Sequence, residues 1–168
     1  FLRGEDIKRW RVEPEGLFLI NTPKGKVDIE KYPAIRDWLL PFKADLEKRA
    51  TKQEWFELQQ AQLAYQSHFE AAKIVYQDIT ATNPFAMDRA QFFVANTCYF
   101  VPTSDLAILA FLNSKLAWFY LASRTNIARG GYLRLRTEFV ETTPIPTFGR
   151  TARASVAKLA DQCTASSV

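Results

Sequence analysis

The stretch 106–121 constrains the fold most, because its residues are apolar on nearly every side of a helix. Such a helix has no polar face to turn toward water, so other elements must enclose it. Thr103 or Ser104 is a suitable cap for its start, and Asp105 favours its first turn. The polar residues 113–115 at its centre and its short length argue against a membrane span. The sequence therefore predicts a central core helix and no membrane segment.

Segments rich in β-branched and aromatic residues predict strands before this helix. The predicted strands are 7–12, 17–20, 73–79, 85–88, 91–94 and 96–101. The first two are expected to form a hairpin around the turn residues 13–16. A helix is expected over 32–40, broken or kinked at Pro41 and resumed over 42–50, and another is expected from 153 to 160. We therefore expect an α+β fold, in which irregular, mostly antiparallel β-structure is packed with helices. The 168 residues suit a single domain, 1–168, and the start at Phe1 without a methionine suggests a piece of a longer chain.

Basic residues are concentrated in the last third of the chain. Residues 106–160 contain eight Lys and Arg residues but two acidic residues. Within this region Gly130 and Gly131 predict a tight loop. After it, apolar and polar residues alternate, which predicts a strand with Leu133 and Leu135 in the core. Tyr132, Arg134 and Arg136 would then share the opposite face.

This pattern is typical of a surface for nucleic acid. Arg124, Arg129, Arg134 and Arg136 lie within thirteen residues that include no acid, and an arginine fork pairs well with phosphate or a guanine edge. Tyr132 and Asn126 could add base stacking and contacts to an adenine edge. A solvated basic face is the alternative. Near the N-terminus, Arg3, Lys8, Arg9 and Arg11 form a second basic group, for which local pairing with the acidic residues at positions 5, 6, 13 and 15 is the alternative.

Catalytic patterns are weak in this sequence. Asn83-Pro84-Phe85 resembles the base-holding signature of amino-group DNA methyltransferases, but a second proline is missing and a turn is the better interpretation. Asp6-Ile7-Lys8 has the Asp-x-Lys form of metal-dependent nucleases, without a partner acid upstream. No serine or cysteine neighbour of His68 suggests a catalytic triad, and the two cysteines, Cys98 and Cys163, show no metal or disulfide spacing. We expect no catalytic residue and no metal in this chain, and a reduced, cytoplasmic setting.

Blocks spread along the chain resemble the C-terminal specificity domain of TaqI-like adenine methyltransferases and type IIG restriction-modification enzymes. The blocks occur in order at 1–10, 32–50, 55–58, 73–79, 96–102, 109–120, 129–134 and 144–146. The resemblance implies a target-recognition domain whose partners are double-stranded DNA and the methyltransferase domain of the same parent chain. S-adenosylmethionine would be bound by that catalytic domain, and a nuclease domain is also fused in some members. Glu5 replaces a basic residue often found after the Arg-Gly pair of this family, which weakens a phosphate contact at that position.

Three functions follow as hypotheses. The first is a DNA-recognition module. The expected DNA-binding residues are Arg3, Lys8, Arg9, Arg11, Arg124, Asn126, Arg129, Gly130, Gly131, Tyr132, Arg134 and Arg136. The second is a protein-interaction module, in which the tryptophans at 10, 38, 55 and 118 pack on a methyltransferase domain without direct base contacts. The third is a nuclease that uses Asp6 and Lys8.

Overall fold

The computed structural model of the chain describes residues 1–59, 63–128 and 130–165. The chain divides into two compact units, of which the first comprises Phe1–Leu17 with Ser67–Val168 and the second Phe18–Gln66. The strands are β1 (Ile7–Lys8), β2 (Arg11–Val12), β3 (Lys73–Gln77), β4 (Ile79–Thr80), β5 (Ala86–Asp88), β6 (Cys98–Val101) and β7 (Leu133–Arg134). The α-helices are α1 (Pro33–Leu39), α2 (Lys43–Leu46), α3 (Gln66–Phe69), α4 (Leu106–Leu112), α5 (Lys115–Arg124), α6 (Thr137–Glu141) and α7 (Arg150–Ala165). These paired strands are all antiparallel, and the predicted α+β class is confirmed.

The central sheet of the first unit has the order β5-β3-β6. β3 is buried on both faces, which explains why its central residues, 74–76, are apolar without alternation. Ile74 and Tyr76 pack into a core that includes Leu109 of α4 and Leu121 of α5. Val75 packs on the other face, in a smaller core that also contains Leu2, Ile7, Ala86 and Cys98.

The expected core helix is two helices with a 60° bend between them. The Asp105 carboxylate caps α4 by accepting from the Ala107 N–H at 2.8 Å, so the predicted capping by Thr103 or Ser104 was wrong. Ser114 caps α5 by accepting from the Ala117 N–H at 3.1 Å. No single helix of the described residues is long and apolar enough to cross a membrane, and α4 and α5 meet that measure only together, across the bend.

The bend is held by polar groups from distant parts of the chain. Asn113 is buried and donates from Nδ2 to the Phe85 carbonyl at 2.8 Å. Asn83 donates in return to the Leu112 carbonyl at 2.9 Å. Arg9 adds a hydrogen bond from Nη2 to the Asn113 carbonyl at 2.6 Å. The 83–85 segment therefore braces the bend between α4 and α5, and the backbone bends just before it, at residues 81–82.

The N-terminal hairpin differs from the prediction. β1 and β2 pair with each other, and Arg9 and Trp10 form the turn between them. Trp10 adopts a φ of 74°, a region that bulky residues rarely occupy, and its N–H donates to the Phe85 carbonyl at 2.9 Å. The expected strand at 17–20 is absent, and Phe18 is 97% exposed. The prediction of one strand over 7–12 was wrong at Arg9 and Trp10, because a positive φ at a tryptophan cannot be read from residue type.

In the second unit, Pro41 separates α1 from α2, with a short 3-10 helix at Leu40–Phe42 between them. Arg49 ties the end of this region to the following loop through its guanidinium, which donates to the carbonyls of Leu46, Trp55 and Glu57. The predicted break at Pro41 is thus confirmed, whereas the segment predicted to resume over 42–50 is α-helical only at Lys43–Leu46. In the first unit, α7 is longer than predicted, and the expected strand at 91–94 is reduced to one bridge between Val94 and Leu2.

Candidate nucleic-acid interface

A small sheet of β4 and β7 contains Arg134, one of the predicted contact residues, and Tyr132 and Arg136 flank β7 in sequence. Arg134 is the cross-strand partner of Ile79, and Leu133 is the partner of Thr80. Leu133 and Leu135 are buried, whereas Tyr132, Arg134 and Arg136 are partly or fully exposed. The predicted alternation is confirmed, although the regular strand itself has two residues.

The loop before β7 is tight, as its glycines predicted. Gly130 and Gly131 have φ angles of 83° and 81°, which other residues adopt at a cost. The Ala128 N–H donates to the Tyr132 carbonyl at 2.7 Å, and the Arg134 N–H donates to the Asn126 carbonyl at 3.1 Å. These two bonds close the base of the loop. Arg129, which was also predicted to contact DNA, lies outside the described residues.

Arg134 has a carboxylate partner that its sequence neighbours did not reveal. Its guanidinium donates to the Asp78 carboxylate, from Nε at 3.3 Å and from Nη2 at 3.2 Å. The Asp78 side chain is nearly buried, and the Arg134 side chain remains 43% exposed. One edge of the guanidinium is thus occupied by the protein, and the rest faces outward.

Other polar residues of this region are exposed without a carboxylate partner in the described part of the chain. Arg124 ends α5 and lies over the Tyr120 ring, with 5.5 Å between its Cζ and the ring centroid. Arg136 precedes α6 as its capping residue. Asn126 is exposed between them in sequence. These side chains add positive charge and hydrogen-bonding groups around β7.

The N-terminal basic group is largely neutralised by neighbouring acids. Arg3 is ion-paired with three carboxylates, and Asp6 and then Glu15 raise the pKa of its guanidinium. Its contacts are Glu15 at 2.6 Å, Glu5 at 2.7 Å and Asp6 at 3.3 Å. Arg11 is paired with Glu13. Local ion pairing thus accounts for two of these four cations.

The other two cations of this group, Lys8 and Arg9, lie at the tip of the hairpin formed by β1 and β2. Lys8 is exposed and has no carboxylate partner among the residues that the structure describes. Arg9 is exposed and contacts the bend between α4 and α5. This bend and Arg124 are at opposite ends of α5, whose ten residues span about 15 Å. The two basic groups are therefore separated by roughly the length of that helix.

The residues of the nuclease hypothesis, Asp6 and Lys8, lie in different surroundings. Asp6 is buried and accepts from the Arg3 N–H at 2.7 Å, whereas Lys8 is exposed. Within 1–59, 63–128 and 130–165, no group of three or more His, Cys, Asp or Glu side chains could hold a metal ion. Cys98 is buried, and this burial raises the pKa of its thiol to about 11, so it is protonated at neutral pH.

Sequence reasoning missed several residues beside the interface. Ile79 is half exposed opposite Arg134, and Asp78 precedes it. On α5, Leu116 and Phe119 are exposed one turn apart. The continuous apolar run predicted that both of these α5 residues lie in the core. For Ile79, the alternation of strand residues after the buried β3 could have indicated its exposure.

A comparison with protein-family models identifies a match over residues 1–145, to the TaqI-like C-terminal specificity domain. The match extends over both compact units and ends before α7. No curated protein matches the chain. Domains of the matched family serve target recognition in adenine-specific DNA methyltransferases of restriction-modification systems.

Proposed function

Because the chain belongs to the family of TaqI-like C-terminal specificity domains, we propose that it recognises a specific sequence in double-stranded DNA for an adenine-specific methyltransferase. The domain holds the duplex while a separate domain of the same parent chain binds S-adenosylmethionine and transfers the methyl group. No residue of the present chain is assigned to the cofactor or to the methyl transfer.

One observation supports this proposal above the others: the exposed face of Asn126, Tyr132, Arg134 and Arg136, which we term the β7 face. Buried leucines anchor this face from behind, so its polar side chains are carried by packed backbone rather than by a free loop. Guanidinium, amide and phenol groups together match the phosphates, base edges and base planes of nucleic acid. We assign Arg136 and Arg124 to phosphates because neither has a carboxylate partner among the described residues.

The experiment is a salt titration of duplex binding, measured by fluorescence anisotropy with the whole chain. Each phosphate contact contributes about 0.9 to the slope of log affinity against log salt concentration. The Arg124→Ala, Arg136→Ala double variant should therefore bind more weakly and show a slope smaller by about 1.8. Retention of the parental slope by this variant would contradict the assignment.

Arg36→Ala is the matched control. Arg36 is paired with Glu30 at 2.7 Å and with Asp37 at 2.9 Å, and these carboxylates raise the pKa of its guanidinium, Asp37 more than Glu30. Its charge is already balanced within the protein, so its loss should leave the slope unchanged. A uniform effect of any lost arginine would instead indicate a general charge effect.

A second candidate function is a contact with the methyltransferase domain, without direct base recognition. It is favoured by large apolar side chains that the second unit exposes, above all Phe18 and Trp38, which is 68% exposed. A Phe18→Ser, Trp38→Ser variant should lose binding to the separately produced methyltransferase domain and keep its affinity for duplex DNA. If the unmodified chain binds that domain and shows no duplex affinity at low salt, the second function replaces the first.

A further inference from the structure

Asp78 lies at the corner where the chain passes from the central sheet to the sheet that carries the β7 face. β3 ends at Gln77, and β4 begins at Ile79. The Asp78 N–H donates to the Thr97 carbonyl at 3.0 Å, and its own carbonyl accepts from the Leu135 N–H at 2.6 Å. The backbone of Asp78 is thus held on two sides, which fixes its carboxylate relative to β7.

The Asp78 carboxylate is poorly exposed and is stabilised by its ion pair with Arg134. Only 10% of the Asp78 side chain is exposed, and a carboxylate this poorly hydrated is costly without a cationic partner. Arg134 is the one ion-pair partner of Asp78 among the described residues. The contact uses Nε and Nη2, while Nη1 makes no hydrogen bond within the described part of the chain.

We propose that Asp78 is a positioning residue, which orients the Arg134 guanidinium so that its outer N–H groups meet a guanine edge. This inference rests on the proposed function. A bidentate contact with guanine O6 and N7 requires two N–H groups of one guanidinium in a defined plane. When Asp78 holds the arginine, the plane of the guanidinium is fixed before DNA binds. Without Asp78, the guanidinium would pair with a nearby phosphate as readily as with a guanine edge.

The first test compares the whole chain with its Asp78→Asn variant. A preferred duplex is selected by the unmodified chain from a library with a randomised centre, and a scrambled duplex of equal composition serves as the reference. Asparagine keeps the size and the backbone bonds of Asp78 but removes the charge that holds Arg134. The preference for the selected duplex should fall by about 5- to 150-fold, the worth of one bidentate base contact.

The affinity for the scrambled duplex should instead increase. The substitution removes the negative charge of Asp78 next to Arg134, so the Arg134 guanidinium becomes free to contact a phosphate. The salt slope on the scrambled duplex should rise by about 0.9 if one new phosphate contact forms. An equal loss of affinity for both duplexes, or an unchanged preference, would show that Asp78 serves only the fold.

Two further variants separate charge from position. Glu138→Gln removes the same charge from an exposed residue at the start of α6, and it should tighten binding to both duplexes without changing the preference. Arg134→Lys keeps the charge but loses the planar fork, and it should lower the preference by itself. Adding Asp78→Asn to Arg134→Lys should then reduce the preference no further, since both substitutions disable one contact. Additive losses would overturn the proposal.

A measurement without DNA distinguishes this inference from the proposed function. In nitrogen-15 NMR spectra the Arg134 Nε–H of the unmodified chain should exchange slowly with solvent, and in Asp78→Asn it should exchange at the rate of a free arginine. A rapidly exchanging Nε–H in the unmodified chain would overturn the positioning role while leaving DNA recognition intact. Absence of duplex binding by the unmodified chain at low salt would overturn the proposed function, and with it the guanine contact.

Discussion

Replacement of Lys73 by methionine should destabilise the first unit by about 3 kcal/mol or more. Lys73 of β3 and Asp88 of β5 are cross-strand partners, and both side chains are fully buried. The Lys73 Nζ lies 2.6 Å from Asp88 Oδ2 and also donates to the Phe69 carbonyl at 2.9 Å. Methionine has a similar length and would fill the same space, so the main effect is a buried carboxylate without its cation.

The magnitude follows from the partners that Asp88 keeps. Removal of one member of a buried ion pair costs about 3–5 kcal/mol. In the variant, the Asp88 carboxylate still accepts from the N–H groups of Ala90 and Phe92, both at 2.9 Å. These two bonds stabilise the negative charge, so the lower end of the range is expected. A domain with a total stability of about 5–15 kcal/mol would lose a large part of it.

The assay is urea unfolding followed by circular dichroism, with the midpoint and slope compared between variants. Lys48→Met is the matched control, because Lys48 and Asp45 lie at a similar distance, 2.8 Å, while both are well exposed. Its cost should stay below about 1 kcal/mol. In the Lys73→Met, Asp88→Asn double variant the charges disappear together, so the loss should be smaller than the sum of the single losses by about 2 kcal/mol.

The reasoning about buried charge would be refuted if Lys73→Met cost less than about 1 kcal/mol, or as little as Lys48→Met. Strict additivity in the double variant would also contradict it, since it would mean that Lys73 and Asp88 contribute independently.

Three further predictions concern the thiols and the glycines. Cys163 is exposed and Cys98 is buried, so a thiol reagent at pH 8 should label Cys163 first, as measured by mass spectrometry. Equal labelling of both cysteines in the folded chain would contradict the burial of Cys98. Burial raises the pKa of the Cys98 thiol to about 11, so the unfolded chain releases this proton at lower pH than the folded chain does. The free energy of unfolding should therefore fall above about pH 9, and it should fall less in Cys98→Ala. Gly131→Ala places a side chain at a φ of 81° and should cost about 1 kcal/mol in urea unfolding, whereas Gly149→Ala, which has open space and no positive φ, should be nearly neutral.

Local patterns predicted the parts of this fold that depend on near neighbours in sequence. The alternation around Leu133 and Leu135 and the glycine pair before them specified the β7 face, because strand faces follow from alternation and glycine readily adopts a positive φ. The apolar run of β3 likewise predicted a strand, since residues buried on both faces need no alternation.

The remaining features depend on contacts between distant residues. Asp78 and Arg134 are separated by 56 positions, and no spacing rule connects them. The bend after Leu112 is stabilised by Asn83 and Arg9, so the sequence of the helix alone could not place it. The turn at Trp10 was missed for a related reason, because its unusual backbone is held by a hydrogen bond to the Phe85 carbonyl.

The closed base of the loop before β7 has a consequence for how such domains diversify. The bonds from the Ala128 N–H to the Tyr132 carbonyl and from the Arg134 N–H to the Asn126 carbonyl fasten the two ends of the loop to each other. The tip between Ala128 and Tyr132 can therefore gain, lose or exchange residues during evolution while the leucines behind it stay packed. Such changes at the tip would alter the surroundings of the β7 face without rebuilding the scaffold behind it.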